Sequence, residues 1–121
     1  MEKIEDGILA ETEVDGVAVL RFDRGRIRDE RELLTSLQGL CSSADSRGAV
    51  HMVLDMSNIE YLSSAGLGAL VGLLKKIRCN KGELKLCCLH SQIYELFEVM
   101  RLEKIFDIFP TQDSALKGFA G

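Results

Sequence analysis

One stretch of the sequence, residues 50–77, changes its hydrophobic pattern from that of a strand to that of a helix. Residues 50–56 read VHMVLDM, an apolar run typical of a buried strand. Residues 67–77 place leucine, valine and isoleucine three or four positions apart, which is typical of an amphipathic helix. The stretch therefore predicts a strand, a short loop and a helix in succession.

The loop between these two segments ends in Ser63 and Ser64. Ser63 occupies the position of an N-cap, whose hydroxyl accepts a hydrogen bond from a backbone N–H group of the first turn. Ser64 then lies at or beside that turn, on the surface at the carboxyl end of a strand. A phosphate added there meets N–H donors and places nearly two negative charges on an apolar-rimmed surface. Two interpretations remain open: a plain helix cap, and a switch operated by phosphorylation.

Further strands and helices alternate on either side of this stretch. The dipeptide Asp15-Gly16 between two apolar runs predicts a tight β-hairpin turn. Strands are predicted at 8–13, 17–22, 50–56 and 83–89 and within 102–109. Because helices join the later strands through right-handed crossovers, the order predicts an α/β fold. We expect a mixed, mostly parallel β-sheet with an antiparallel N-terminal edge strand, covered by about four helices, in a single domain spanning residues 1–121.

The starts and ends of the helices are predicted from capping residues. Asp29 is the expected N-cap of the first helix, because Glu32 stands three residues later as in a capping box. This helix is expected to end near Ser42, before the turn-forming segment SADSRG. Ser91 is the expected N-cap of the third helix. The last helix is expected to be capped by one of two residues, Thr111 or Asp113.

Charge and hydropathy exclude several classes of partner. The formal net charge is −4, spread over mixed signs, so there is no basic stripe to follow a phosphate backbone and no nucleic-acid partner is expected. The N-terminal segment MEKIEDGILAETEVDG is acidic and has no long apolar run. We therefore expect no signal peptide, no membrane partner and a cytoplasmic location.

The four cysteines do not have the spacing of a metal site. Cys41, Cys79, Cys87 and Cys88 form no CxxC pair, and the neighbours Cys87 and Cys88 are expected to point to opposite faces of a strand. The prediction is four free thiols, mostly buried as small apolar groups, with no metal and no cofactor.

Motifs for catalysis are incomplete. A nucleophile elbow of the form GxSxG around Ser64 would need glycine at position 62, where the chain has Leu62. A dinucleotide-binding fingerprint, GxGxxG, within GLGALVG would need glycine at position 71, where the chain has Val71. Asp55, at the end of the central strand, has two interpretations: a metal-binding or catalytic carboxylate, and a carboxylate that fixes the following loop through hydrogen bonds. We expect that the protein is not an enzyme.

The segment VLDMSNIEYLSSAGLGALVGLLKKI resembles the signature of STAS domains, the family of bacterial anti-sigma factor antagonists. In that signature a strand ending in LDxS precedes DSSG or DSAG, followed by LG and a helix. The resemblance covers nearly the whole chain and implies a STAS-like fold. It also implies a non-enzymatic regulator that binds an anti-sigma factor, itself a serine kinase, and so frees a sigma factor.

The resemblance implies roles for particular residues. The phosphoacceptor matches Ser64. Ser63 stands where many members of the family carry Asp, and this departure leaves its hydroxyl as the alternative acceptor. A serine phosphatase is expected to reverse the modification. The expected partner-binding residues surround this position: Arg26, Arg28, Ser57, Tyr61, Leu62, Ala65, Leu67 and Gly68. The alternative function is a STAS module that acts as a small-ligand sensor or as a scaffold in a signalling assembly. A sensor should show a closed apolar pocket, and an antagonist an exposed contact face.

Overall fold

Strands and helices alternate through most of the chain, as the sequence predicts. The computed structural model describes residues 3–5, 8–23 and 29–120. The strands are β1 (Lys3–Glu5), β2 (Leu9–Val14), β3 (Val17–Phe22), β4 (His51–Asp55), β5 (Glu83–Cys87) and β6 (Asp107–Phe109). The α-helices are α1 (Glu30–Arg47), α2 (Ser64–Cys79), α3 (Ser91–Val99) and α4 (Gln112–Ala120), and a 3-10 turn spans Leu102–Lys104.

The strands form one mixed sheet in the order β1-β2-β3-β4-β5-β6. The two pairs at the N-terminal side are antiparallel, and the other three pairs are parallel. This confirms the predicted α/β fold with an antiparallel N-terminal edge. The edge strand, however, is β1 rather than the predicted strand at 8–13, which lies between β1 and β3. A strand of three residues is too short to show a period of two in the sequence.

Local turn and cap chemistry was predicted well. Asp15 and Gly16 both have positive φ, 51° and 81°, as a two-residue hairpin turn requires. The side chain of Asp29 accepts a hydrogen bond from the Glu32 backbone N–H at 3.1 Å, so Asp29 caps α1. Thr111 caps α4, because its Oγ1 accepts from the Ser114 N–H at 3.1 Å.

Two helix boundaries were predicted wrongly. Helix α1 continues to Arg47, through the segment expected to form a turn. Ala44 is buried there and extends the apolar face, and the Ser43 hydroxyl donates to the Leu40 carbonyl, so helix geometry satisfies this polar side chain. Ser91 does not cap α3, since it is the first residue of that helix and His90 occupies the cap position.

The core lies on both faces of the sheet. Leu54 of β4 and Leu86 of β5 face a large apolar cluster with side chains of α1, α2 and α3. Val53 and Cys87 face the opposite side, where a smaller cluster includes Ala115 of α4. Successive residues of a strand point to opposite faces, so β4 and β5 contribute to both clusters. Among the described residues, no helix has the length and apolar character required to cross a bilayer.

Candidate functional site

The two serines differ in what their side chains do. Ser63 has an extended backbone, and its hydroxyl accepts a hydrogen bond from the Gly66 N–H at 3.1 Å, which confirms that it caps α2. Ser63 is half-buried, whereas Ser64, the first residue of the helix, is exposed. The hydroxyl at position 64 is therefore accessible at the N-terminal end of a helix, where the backbone dipole favours negative charge.

The loop that leads from β4 to Ser64 is held by hydrogen bonds within itself and to other parts of the chain. Asp55 Oδ1 accepts from the Ser57 N–H at 2.8 Å, and Asp55 Oδ2 accepts from the Gln112 side chain at 2.6 Å. His90 Nε2 lies 2.6 Å from the Ser57 carbonyl oxygen, so this nitrogen carries the hydrogen. Asn58 donates to the Phe22 carbonyl at 2.6 Å. The geometry supports the loop-fixing role of Asp55.

Two shallow grooves lie beside the start of α1, and the larger of them includes both serines. The larger, about 520 Å³, lies between the start of α1 and the start of α2 and is lined by Asp29, Glu30, Arg31, Leu34, Ser63, Ser64 and Ala65. The smaller, about 240 Å³, lies between the start of α1 and the loop residues 58–61. Both are open to solvent, which is the geometry expected of a contact face rather than of a closed ligand pocket.

Comparison with known proteins identifies the family. The model of the STAS domain family matches residues 2–115. The chain belongs to the STAS domain family. The anti-sigma F factor antagonist of Paenibacillus polymyxa is 31% identical over 101 residues, which cover 84% of this chain and 85% of the relative. The anti-sigma-B factor antagonist of Staphylococcus aureus is 31% identical over 90 residues, covering 73% of this chain and 83% of the relative.

Solved structures share the fold at lower identity. An anti-sigma-factor antagonist (STAS) domain protein of Planctomyces limnophilus superposes with a TM-score of 0.81 and 21% identity, covering 93% of this chain and 98% of that chain. The anti-sigma factor antagonist SpoIIAA in its unphosphorylated form gives a TM-score of 0.67 and 12% identity, with the same coverage of the two chains. The predicted STAS-like fold is therefore confirmed.

The expected partner-binding residues of the STAS domain divide by exposure. Tyr61 is 69% exposed, and Ala65 and Gly68 are also exposed on the first turns of α2. Ser57 is half-buried, with its backbone N–H and carbonyl both engaged within the loop. We call the exposed residues of this set, together with Ser64, the serine face: Tyr61, Ser64, Ala65 and Gly68.

Other expected contact residues do not lie on the serine face. Leu62 and Leu67 are each only 4% exposed and belong to the apolar cluster beneath α2. Their side chains support the serine face from below and are not available to a partner, because their apolar surface is already buried in the core. Arg26 and Arg28 lie outside the described residues.

Sequence reasoning missed the acidic start of α1 as part of this site. Asp29 and Glu30 line the same groove as Ser64, although 34 positions separate Glu30 from Ser64 in the sequence. The sequence indicated only that these residues cap a helix. Their proximity to the serines depends on the packing of α1 beside α2, which no local pattern encodes.

The arrangement of two cysteines also differs from the prediction. Cys87 and Cys88 do not point to opposite faces, since their sulfur atoms lie 3.4 Å apart. Strand β5 ends at Cys87, and Cys88 adopts a left-handed backbone with φ of 64°, which turns its side chain back toward Cys87. Burial raises the pKa of both thiols, and the nearby Asp55 carboxylate raises each of them further. Only Cys87 is buried, whereas Cys41 and Cys88 are half-buried and Cys79 is exposed, so the prediction that the thiols are mostly buried is wrong.

Proposed function

We propose that this STAS domain is a non-enzymatic anti-sigma factor antagonist that binds an anti-sigma factor serine kinase through the serine face. Phosphorylation of Ser64 by that kinase ends the binding, and a serine phosphatase restores it. The observation that carries the proposal is the exposed hydroxyl of Ser64 at the first residue of α2. The names of the curated relatives, which are antagonists of anti-sigma factors, support the partner class.

A phosphate on Ser64 would change the surface without unfolding the domain. The N-terminal end of α2 stabilises negative charge by about 0.3–1 kcal/mol, so the modified helix keeps its structure. The phosphate adds a charge of about −1.5 to −2 to a groove whose charged lining residues, Asp29, Glu30 and Arg31, already sum to a net negative charge. A partner surface that accommodates a neutral hydroxyl at this point then meets a large, strongly hydrated anion, and binding is lost.

A kinase substrate needs to provide only the acceptor group. The kinase supplies the catalytic base and the metal-bound nucleotide, so the incomplete catalytic motifs of this chain are consistent with its role as a substrate. Ser64 is the better acceptor of the two serines, because Ser63 is half-buried and its hydroxyl already accepts the capping hydrogen bond.

Site-mapped phosphorylation tests the proposal. The protein is incubated with its cognate kinase and ATP, and the modified serine is identified by mass spectrometry of the peptides. We expect one phosphate on Ser64, retained in Ser63→Ala and absent from Ser64→Ala. Ser63→Ala loses its cap at a cost of about 1 kcal/mol, so it is assayed well below its unfolding temperature. Phosphate on Ser63, or on neither serine, would contradict the proposal.

The substitution Gly68→Ala is expected to change stability and partner affinity in opposite directions. A Cβ atom added at Gly68 meets nothing within 4 Å, and the position is exposed inside α2. Gly68→Ala should therefore raise the free energy of unfolding by about 0.5–1 kcal/mol. On the serine face the added methyl group should weaken kinase binding by about tenfold, measured by titration, because overpacking a close contact costs about 1–3 kcal/mol.

Gly72→Ala is the matched control for Gly68→Ala. Gly72 lies one turn later in α2, outside the serine face, and an added Cβ would make an ordinary contact at 3.8 Å with the Cys41 sulfur. We expect a similar gain in stability with unchanged kinase affinity. If the kinase binds the two variants with equal affinity, Gly68 does not contact the kinase.

A further inference from the structure

A second cluster of reactive side chains lies at the carboxyl ends of β4 and β5, on the face of the sheet covered by α4. A carboxylate oxygen of Asp55 and the sulfur atoms of Cys87 and Cys88 all lie within 4.8 Å of one another. Asp55 and Cys87 are partners in the parallel ladder and so point to the same face. Cys88 joins them because its left-handed backbone reverses the direction of its side chain.

The spacing of the cluster is close to that of a tetrahedral zinc site. Zn–S bonds of about 2.3 Å in tetrahedral geometry place two sulfur ligands about 3.8 Å apart. The two sulfur atoms here are separated by 3.4 Å. All three ligand atoms lie within 4.8 Å of one another, so a carboxylate-to-sulfur separation at that limit would have to shorten by about 1.3 Å to reach the roughly 3.5 Å of a tetrahedral site, which a small rotation of the Asp55 or Cys88 side chain can supply.

The surroundings fix the ligands and leave a path for an ion. Asp55 is 5% exposed, and each of its oxygens accepts a hydrogen bond, one from the Ser57 N–H and one from the Gln112 side chain. Such outer partners orient metal-binding carboxylates. Cys87 is fully buried, whereas Cys88 is only partly buried, so the cluster can be reached from solvent at Cys88.

We propose that Asp55, Cys87 and Cys88 bind one Zn²⁺ ion through two thiolates and a carboxylate, with a water molecule in the fourth position. Thiolate ligands select zinc over magnesium or calcium, which prefer oxygen. Binding displaces one proton from each thiol. The ion would join β4 to β5 and, through Gln112, to α4, at the base of the loop that leads to Ser64. The site does not depend on the proposed phosphorylation.

Metal titration of the full chain, kept reduced with a phosphine, tests this proposal. Zn²⁺ affinity is measured by competition with a chromophoric chelator, and Co²⁺ is used as a spectroscopic probe. We expect one ion per chain and a sulfur-to-cobalt charge-transfer band. Cys88→Gly removes a direct ligand of the ion. Because loss of an outer-shell partner alone lowers metal affinity by about 10- to 100-fold, this variant should lower Zn²⁺ affinity by at least about 100-fold. Glycine accepts the positive φ at position 88, so this variant should remain folded.

Cys79→Ser is the matched control, because Cys79 is an exposed thiol on α2 outside the cluster. It should bind Zn²⁺ as tightly as the unmodified protein. If circular dichroism shows that Cys88→Gly is unfolded, Cys88→Ser is used in its place with the same expected loss. The proposal is overturned if the unmodified protein does not bind one ion, if the Cys88 variant binds as tightly, or if Cys79→Ser loses the band.

Discussion

Ser64→Asp should bind the anti-sigma factor kinase at least about 100-fold more weakly than Ser64→Ala, a difference of about 2.7 kcal/mol. Ser64→Ala removes only an exposed hydroxyl and should bind about as tightly as the unmodified protein. The carboxylate of Ser64→Asp reproduces part of the phosphate charge, and an unmatched charge at an interface costs several kcal/mol. Isothermal titration of each variant with the kinase, without ATP, measures the difference.

Ser64→Asn is the matched control, since it has the size of Asp without the charge. Its affinity should lie close to that of Ser64→Ala. Asp in the first turn of a helix is favourable, so Ser64→Asp should be at least as stable as the unmodified protein, and weaker binding cannot be attributed to unfolding. If the Asp and Asn variants bind equally, charge at position 64 does not control docking.

Phe97→Ala should lower the free energy of unfolding by about 3–5 kcal/mol, a large share of the stability of a domain of this size. Phe97 of α3 is fully buried, and its ring packs against Phe106 with 5.5 Å between the centroids and 58° between the planes. The truncation leaves a cavity beneath α3 that the surrounding side chains fill only in part. Urea unfolding followed by circular dichroism measures the loss.

Val99→Ala, in the same helix, is the control for Phe97→Ala. Val99 is 78% exposed, so its truncation should change stability by less than about 0.5 kcal/mol. A loss below about 1 kcal/mol for Phe97→Ala would mean that α3 does not pack against the sheet as described.

Features encoded by neighbouring residues could be predicted from the sequence. The Asp15-Gly16 turn and the caps at Asp29, Ser63 and Thr111 depend on chemistry within four residues, and all are present in the structure. The strand, loop and helix of residues 50–77 were predicted because their hydrophobic periods differ.

Features set by packing could not be predicted in this way. The end of α1 depends on the burial of Ala44 against the rest of the core, which outweighs the turn preference of its neighbours. At the site, the approach of Glu30 to Ser64 depends on the packing of α1 beside α2. The convergence of Cys88 on Cys87 depends on a single positive φ at the end of β5.

The most direct test compares the affinity of the kinase for the unmodified protein with its affinity for the same protein carrying one phosphate on Ser64. The unmodified form should bind, the phosphorylated form should bind at least about 100-fold more weakly, and treatment with a serine phosphatase should restore the original affinity. Equal affinity of the two forms would contradict phosphorylation-controlled docking at Ser64.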